Sequence, residues 1–442
     1  MSENLRTELT DVNQVEYRQL RLERVVLASV WTSGTAEEAD AAMAELSALA
    51  DTAGAVVVAT AIQRRDQPDP ATYVGSGKVA EIKDMVVASG ADTVVCDGEL
   101  SPAQLRNLED RWDVKVVDRT TLILDIFAQH AKSVEGKTQV ELAQLNYMRQ
   151  RLRGWGDSLS RQVGGRTAGG VGIGGRGPGE TKIETDRRRI NTRAALLRRR
   201  LKSMATTREL SRATRARSQV PSVAIVGYTN AGKSSLLNRL TNASVLVEDA
   251  LFATLDPTTR RTRTEDGRVY TLTDTVGFIR HLPTDLVEAF KSTLEETRQA
   301  NLLVHVVDGS GGDPLAQVGA VRAVLDQIEA GDVPELIVVN KIDAAGADEL
   351  ATLRHALPEA VFVSAVTGDG LDVLRAAIEA RLPQPGVLVR ALVPWSRGDL
   401  VDRAHRTGEV ISSEATADGT LLVARVHHGL AGELAAFEKG KI

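Results

Sequence analysis

An α/β fold is predicted for most of this 442-residue chain, and three observations predict it. Short apolar runs alternate with helical patterns over residues 24–131 and again over 219–383. The stretch "GYTNAGKS", residues 227–234, follows an apolar run and leads into a helical one. Residues 132–218, between those regions, switch to long helical spacing. Strand–helix alternation argues parallel sheets covered by helices, and the length calls for more than one domain.

Composition narrows the partners. Hydrophobic content is 43%, normal for globular cores, but aromatics are only 3%, so the cores must be built from Leu, Val, Ile and Ala. The lone cysteine, Cys96, sits in the apolar run "DTVVCDG" and is expected in a buried strand. It cannot form an internal disulfide, which fits a reducing, cytoplasmic location. No apolar run approaches membrane-spanning length. The N-terminal "MSENLRTELT" has no apolar core, so residues 1–21 are read as a flexible, solvated tail rather than a secretory signal.

The elements follow in order. In residues 22–131, "VVLASVW", "AVVVATAI", "TVVCD" and "VKVVD" read as buried strands. Between them "EEADAAMAELSALA", "KVAEIKDMVVAS" and "SPAQLRNLEDRW" read as helices, the last with Ser101 as N-cap and Pro102 at the first helical position. In residues 132–218, "ELAQLNYMRQRLRG" has helical spacing, and Ile190, Ala194, Leu197, Leu201 and Met204 recur at intervals of four and three. That narrow apolar seam predicts an antiparallel hairpin of two long helices. Its second helix carries "DRRR", "RRRLK" and "RATRAR", so the overall charge of −5 hides a strongly basic middle. Residues 219–383 supply strands at "SVAIVG", "VYTLTDT", "LLVHVVD", "ELIVVN" and "AVFVSA". After "RLPQPG", residues 384–442 suggest a small α+β domain.

The phosphate-binding reading rests on spacing and context together. Gly227 and Gly232 let the backbone of Tyr228, Thr229, Asn230 and Ala231 curl so that its N–H groups face phosphate oxygens. Lys233 places a cation between the β- and γ-phosphates, and the Ser234 hydroxyl suits a Mg²⁺ ligand. "NKID" follows the strand "ELIVV". There the Asp343 carboxylate can accept from both N1–H and the 2-amino group of guanine, while adenine would leave it unpaired. Asn340 can bridge base and phosphate loop, the Lys341 stem can lie along the ring, and Ile342 completes the turn. The "SAV" of Ser364, Ala365 and Val366 supplies backbone donors for the guanine oxygen. GTP and its product GDP are the expected ligands, and the 219–383 region is expected to be a P-loop GTPase domain.

Two loops would sense the γ-phosphate. "DALFATLDPTTRR" is a threonine-rich loop suited to a first switch, in which Thr254, Thr258 and Thr259 compete to complete the Mg²⁺ shell. "DTVGFIR", residues 274–280, offers Asp274 to hold Mg²⁺ through water and the Gly277 amide to meet the γ-phosphate, with Thr275 and Val276 between them. The residue after that glycine, where many such switches place a water-orienting glutamine, is Phe278.

"GYTNAGKSSLLN", "LFATLDPTTR", "DTVGFI", "NKID" and "GGRGPGETKIETDRR" together make the chain resemble the bacterial HflX family of ribosome-associated GTPases over nearly its whole length. The resemblance implies an N-terminal α/β domain, a helical hairpin, the GTPase domain and a short C-terminal domain. It implies binding to the large ribosomal subunit and its RNA, and separation of stalled or idle ribosomes. It selects Thr254 of "FATLD" as the magnesium ligand, with Phe252, Ala253, Leu255 and Asp256 around it, and assigns Lys233, Thr254 and Gly277 to hydrolysis. It also brings a link to a second nucleotide, ATP, outside the GTPase domain. A monomer is expected.

Weaker signals are set against plainer explanations. "GVGIGG", residues 170–175, matches a dinucleotide fingerprint but follows no apolar strand, so it is read as part of a flexible loop joining the hairpin helices, with Arg166 and Arg176 able to meet phosphates. "VGSGK", residues 74–78, lacks full phosphate-loop spacing and is read as a helix start. Trp155 is read as an anchor at the hairpin end. Two rival functions share the GTPase domain: a signalling GTPase whose hairpin binds a protein effector, and an ATP-dependent RNA-remodelling factor regulated by GTP. The one-sided basic charge favours RNA.

Overall fold

The computed structural model describes residues 24–163, 178–217, 220–241, 250–265, 267–280, 294–383 and 386–438. The tail 1–21 and the glycine-rich segment 164–177, with Arg166 and Arg176, lie outside the described residues, as does the side chain of Trp155. The chain divides into two compact units, residues 1–129 and 130–442.

The first unit is a four-stranded, wholly parallel sheet. Strands β1 (Arg24–Trp31), β2 (Val56–Arg64), β3 (Thr93–Cys96) and β4 (Lys115–Asp118) lie in the order β2-β1-β3-β4. Helices α1 (Ala36–Thr52), α2 (Ser76–Ser89) and α3 (Pro102–Trp112) connect them. Ser101 caps α3 in a reciprocal box with Gln104, with Pro102 at the first position, as its sequence predicts. "VGSGK" opens α2, and Lys78 pairs with Glu81 at 2.8 Å. Cys96 is fully buried among Val26, Val94 and Leu108, and burial pushes its thiol above the usual range, which makes it unreactive. A fourth helix, α4 (Arg119–His130), is absent from the sequence-based expectation.

The second unit contains the hairpin helices α5 (Val134–Val163) and α6 (Pro178–Arg217). Leu142, Leu145, Ala194 and Leu197 are buried between them, with Met148, Ile190 and Leu201 packed alongside. Four of the five predicted seam residues therefore form the seam, and Met204 is half-buried.

The nucleotide-type domain is a six-stranded sheet of order β10-β9-β8-β5-β7-β6. Its strands are β5 (Ser222–Gly227), β6 (Thr258–Arg263), β7 (Val269–Asp274), β8 (Leu302–Asp308), β9 (Glu335–Asn340) and β10 (Val361–Phe362). Only β6 runs antiparallel. Helix α7 (Lys233–Thr241) follows β5, and further helices span Pro314–Gln327, Ala347–Ala356 and Leu371–Arg381. The chain leaves β5 for β7 on one side and returns to β8 on the other. That reversal is where open α/β sheets bind ligands, beyond the carboxyl ends of the strands. Thr258 and Thr259 belong to β6 rather than to a switch loop, and the Thr259 hydroxyl lies 3.0 Å from that of Thr273. The last region is an antiparallel sheet, β11 (Val387–Pro394), β12 (Glu409–Thr416) and β13 (Gly419–Val426) in the order β11-β13-β12. Its core of Val389, Ala391, Leu422 and Ala424 packs on Leu400, Ala404 and Leu434.

Candidate functional site

The phosphate loop is built by close backbone approach. A Cβ on Gly227, at φ +146°, would lie 2.2 Å from the Val306 carbonyl oxygen, and one on Gly232, at φ +90°, 2.3 Å from Asn340 Nδ2. No side chain fits either position. The loop is sewn to the segment after β7. Thr229 N–H donates to the Phe278 carbonyl (2.7 Å), Phe278 N–H to the Gly227 carbonyl (3.1 Å), and Arg280 N–H to the Tyr228 hydroxyl (2.6 Å). Ala231 is fully buried, and Asn230 takes the left-handed conformation at φ +58°. Lys233 Nζ donates to the Tyr228 carbonyl at 2.7 Å. Burial lowers its ammonium to about 8, with the Asp274 carboxylate acting the other way.

Three oxygen side chains converge beside Lys233. Ser234 Oγ donates to Asp274 Oδ2 at 2.6 Å, and Thr254 Oγ1 lies 3.0 Å from Ser234 Oγ. Thr254, not Thr258 or Thr259, is thus the threonine at the loop. Asp274 is fully buried, and its Oδ1 has no hydrogen-bond partner. Burial pushes its carboxyl above the ordinary range, and Lys233 acts against that. A buried acceptor oxygen without a partner, beside two hydroxyls, is a donor set that fits a hard, oxygen-seeking cation such as Mg²⁺.

The turn after Asp274 is tightly held. Thr275 Oγ1 donates to the Ile225 carbonyl at 2.8 Å, and Val276 is buried. A Cβ on Gly277 would lie 2.9 Å from Lys233 Nζ and 2.8 Å from Thr229 Cγ2, so this glycine lets its backbone approach the loop. The Phe278 ring is 1% exposed. It is a packing residue whose backbone closes the phosphate loop, and it offers nothing to a water molecule.

At the base end, Asn340 is the organiser. Its Nδ2 donates to the Ala231 carbonyl at 2.9 Å, and its Oδ1 accepts from Ala365 N–H at 3.0 Å. It therefore reaches the phosphate loop on one side, as its sequence context suggested, and the "SAV" loop on the other. Lys341, at φ +61°, pairs with Asp308 at 2.7 Å. Ile342 N–H donates to the Val363 carbonyl, and Asp343 is exposed. Ser364 is fully buried and Val366 is exposed. Arg239 of α7 donates to the Ala365 carbonyl at 2.8 Å and to that of Val366. Neither Arg239 nor Asp308 was singled out from sequence, because neither sits in a recognisable motif.

The segment Phe252–Asp256 divides. Phe252 and Leu255 are each 2% exposed, and Ala253 and Thr254 are half-buried. Asp256, expected among the nucleotide-loop residues, turns its carboxylate to the start of α5 instead. It accepts from Lys132 N–H (2.9 Å) and Ser133 N–H (2.7 Å), and from the Ser133 hydroxyl. Among the described residues no helix is long and apolar enough to cross a membrane.

Comparison with known proteins places this geometry. Family models match residues 40–128 ("GTP-binding GTPase N-terminal"), 130–215 ("GTP-binding GTPase Middle Region") and 222–341 ("50S ribosome-binding GTPase"). A GTPase HflX of Lacrimispora saccharolytica is 46% identical over 430 residues, covering 97% of this chain and 98% of its own. GTPase HflX of Escherichia coli K12 is 44% identical over 402 residues, covering 90% and 92%. A solved GTP-binding protein of Sulfolobus solfataricus in complex with GDP is 26% identical, covering 80% of this chain and 98% of its own, with a TM-score of 0.40. With HflX relatives 46% and 44% identical over 97% and 90% of its length, the chain is a GTPase and belongs to the HflX family.

Proposed function

We propose that this GTPase binds the large ribosomal subunit and separates stalled or idle ribosomes into subunits, with hydrolysis stimulated by the ribosome. The observation that carries the reading is the outer surface of α6. Arg187, Arg188, Arg189, Arg199, Arg200 and Lys202 are exposed there, while the opposite side is spent on the seam with α5. Such a predominantly basic face suits a phosphate backbone, which is bound by charge largely without regard to sequence. The match of residues 222–341 to a family described as ribosome-binding supports the same partner.

In this reading the chain divides into an α/β domain (22–131), a hairpin (132–218), the GTPase domain (219–383) and a C-terminal domain (384–442), and acts as a cytoplasmic monomer. The amides of Gly227 to Gly232 cradle the phosphates. Lys233 neutralises the β- and γ-phosphates, and Gly277 N–H meets the γ-phosphate. Ser234 and Thr254 hold Mg²⁺, with Asp274 behind them; the ion supplies charge neutralisation on the phosphates. Asp343 reads guanine, with Lys341 and the Ser364–Val366 amides beside it.

The test is co-migration with purified large subunits on sucrose gradients, with a GTP analogue and with GDP, followed by light scattering of intact ribosomes. Binding and splitting are expected with the analogue. Replacing 166–177 by a short Gly-Ser link should abolish splitting and leave GTP binding intact. A protein that ignores ribosomes in both nucleotide states would overturn the proposal.

A further inference from the structure

We infer that Asp256 is a positioning residue for GTP hydrolysis. Its carboxylate ties the segment carrying Thr254 to the first turn of the hairpin helix α5, so the placement of the hairpin sets the placement of Thr254. The inference rests on the reading of Thr254 as a magnesium ligand.

The contact is built from both sides. One carboxylate oxygen accepts two successive backbone amides, Lys132 and Ser133, at 2.9 and 2.7 Å. These are charge-assisted bonds at the positive end of a helix. The Ser133 hydroxyl donates to the other oxygen and accepts from Gly136 N–H at 2.8 Å, so the residue that caps α5 is itself held by Asp256. Gly136 makes the approach possible, because a Cβ there would lie 2.5 Å from Asp256 Oδ1. On the nucleotide side, Thr254 stands two residues away with its hydroxyl 3.0 Å from Ser234. Phe252 anchors the segment from below, 2% exposed and at φ +58°, a conformation that bulky side chains rarely adopt.

Two residues of chain span at most about 7 Å, so a displacement of Asp256 has little slack to absorb it before Thr254. Helix α5 has 30 residues and at about 1.5 Å per residue forms a lever of roughly 45 Å. Coupling of this kind is reciprocal: nucleotide that orders Thr254 also orders the start of α5. A contact that fixes Thr254 from outside the nucleotide loops suits a site whose Phe278 cannot orient water.

The test uses the full chain without ribosomes, so its outcome is independent of ribosome splitting. Gly136→Ala adds a methyl group 2.5 Å from Asp256 Oδ1, so the carboxylate must move off the cap to make room, while alanine is the better helix former by about 1 kcal/mol. Intrinsic kcat should fall roughly tenfold or more, with KM for GTP held within about twofold. Asp256→Ala should show a similar loss. Adding Gly136→Ala to it should cost nothing further, because the methyl then meets no carboxylate. Hydrogen exchange at the amides of Lys132 and Ser133 should differ between GTP-analogue and GDP states in the parent and not in either variant. Single variants with kcat within about twofold of the parent, or losses that multiply in the double variant, would overturn the inference. Thr254→Ala is run alongside. If it hydrolyses GTP at the parent rate, the role of Thr254 fails and the inference with it. If it is inactive while Gly136→Ala is normal, only the link to the hairpin fails.

Discussion

Replacing Asn340 by alanine should loosen the phosphate loop and the guanine loop together. The side chain is 2% exposed, and both ends of its amide are used, one on the Ala231 carbonyl and one on the Ala365 N–H. Truncation leaves a buried acceptor and a buried donor without partners. Each such loss costs about 1–3 kcal/mol, so the pair costs about 2–6 kcal/mol. Ala231 borders a loop that opens toward ligand and water, which favours the lower end, about 2–3 kcal/mol. If most of that falls on the bound state, GTP affinity drops about 30- to 100-fold. Asn340→Asp is the sharper control. It keeps the acceptor for Ala365 but sets an anionic oxygen against the Ala231 carbonyl, so it should be at least as damaging as alanine. The assay is titration of a fluorescent GTP analogue alongside guanidinium unfolding. If Asn340→Ala binds GTP within about twofold of the parent and unfolds at the same midpoint, the bridge does not hold the site together.

Further outcomes are expected. Asp343→Asn should lose GTP affinity and gain xanthosine triphosphate affinity, measured side by side; unchanged GTP binding would remove this loop from base recognition. Lys233, lowered by burial to about 8 with Asp274 acting the other way, should take up a proton when phosphate arrives, since a polyanion favours the ammonium. GTP affinity should therefore weaken as pH rises through about 8, and calorimetry in buffers of different ionisation heat should show the uptake; a flat affinity from pH 7 to 9 would count against it. With the Phe278 ring buried, single-turnover hydrolysis should be slow alone and faster with large subunits, and a fast basal rate that ribosomes leave unchanged would refute an externally completed site. Burial acts to raise the Glu335 carboxyl, but hydrogen bonds from His305 and Arg322 prevail and hold it at about 2, below its ordinary 4.5. A depressed folded value stabilises above about pH 4.5 and is lost as pH falls toward 2; with Arg322 half-exposed and screened by solvent, Glu335→Gln should cost about 1–2 kcal/mol at pH 7 and flatten the acid limb. Urea unfolding at pH 7 and at pH 3 checks this, and parallel pH profiles would refute it.

The central strands were legible because strands buried on both faces read as continuous Val, Leu and Ile runs, as β1, β5, β8 and β9 do. Strands β6 and β12 were not. "TTRRTR" and "EVISSEAT" are largely exposed edge strands, held by the backbone of β7 and β13 rather than by a buried face. Helix α4 was missed for the opposite reason. Leu122, Ile123, Leu124, Ile126 and Phe127 are all buried, so it has no polar stripe to betray its period. The hairpin seam was visible because only one face of each helix is apolar.

Motif spacing identifies which residues surround the phosphates because those contacts are made by backbone within a few residues of each glycine. It is silent on contacts that close long loops. Ser133 and Asp256 are 123 residues apart, and Arg239 and Ala365 are 126 apart. No period or spacing announces such pairs. Asp256 shows the consequence. It stands inside "LFATLD", so its position in the motif groups it with the nucleotide-loop residues, yet its carboxylate faces the cap of α5. Gly136 carries the same information from the other side of the contact. In sequence it is an unremarked glycine in the first turn of a helix, where glycine is unfavourable. A Cβ there would lie 2.5 Å from Asp256 Oδ1, so a larger residue would displace the carboxylate. A glycine that weakens a helix and makes room for a carboxylate has its reason in the contact, not in the helix. The contact joins the segment that bears Thr254 to the part of the chain that carries the basic face.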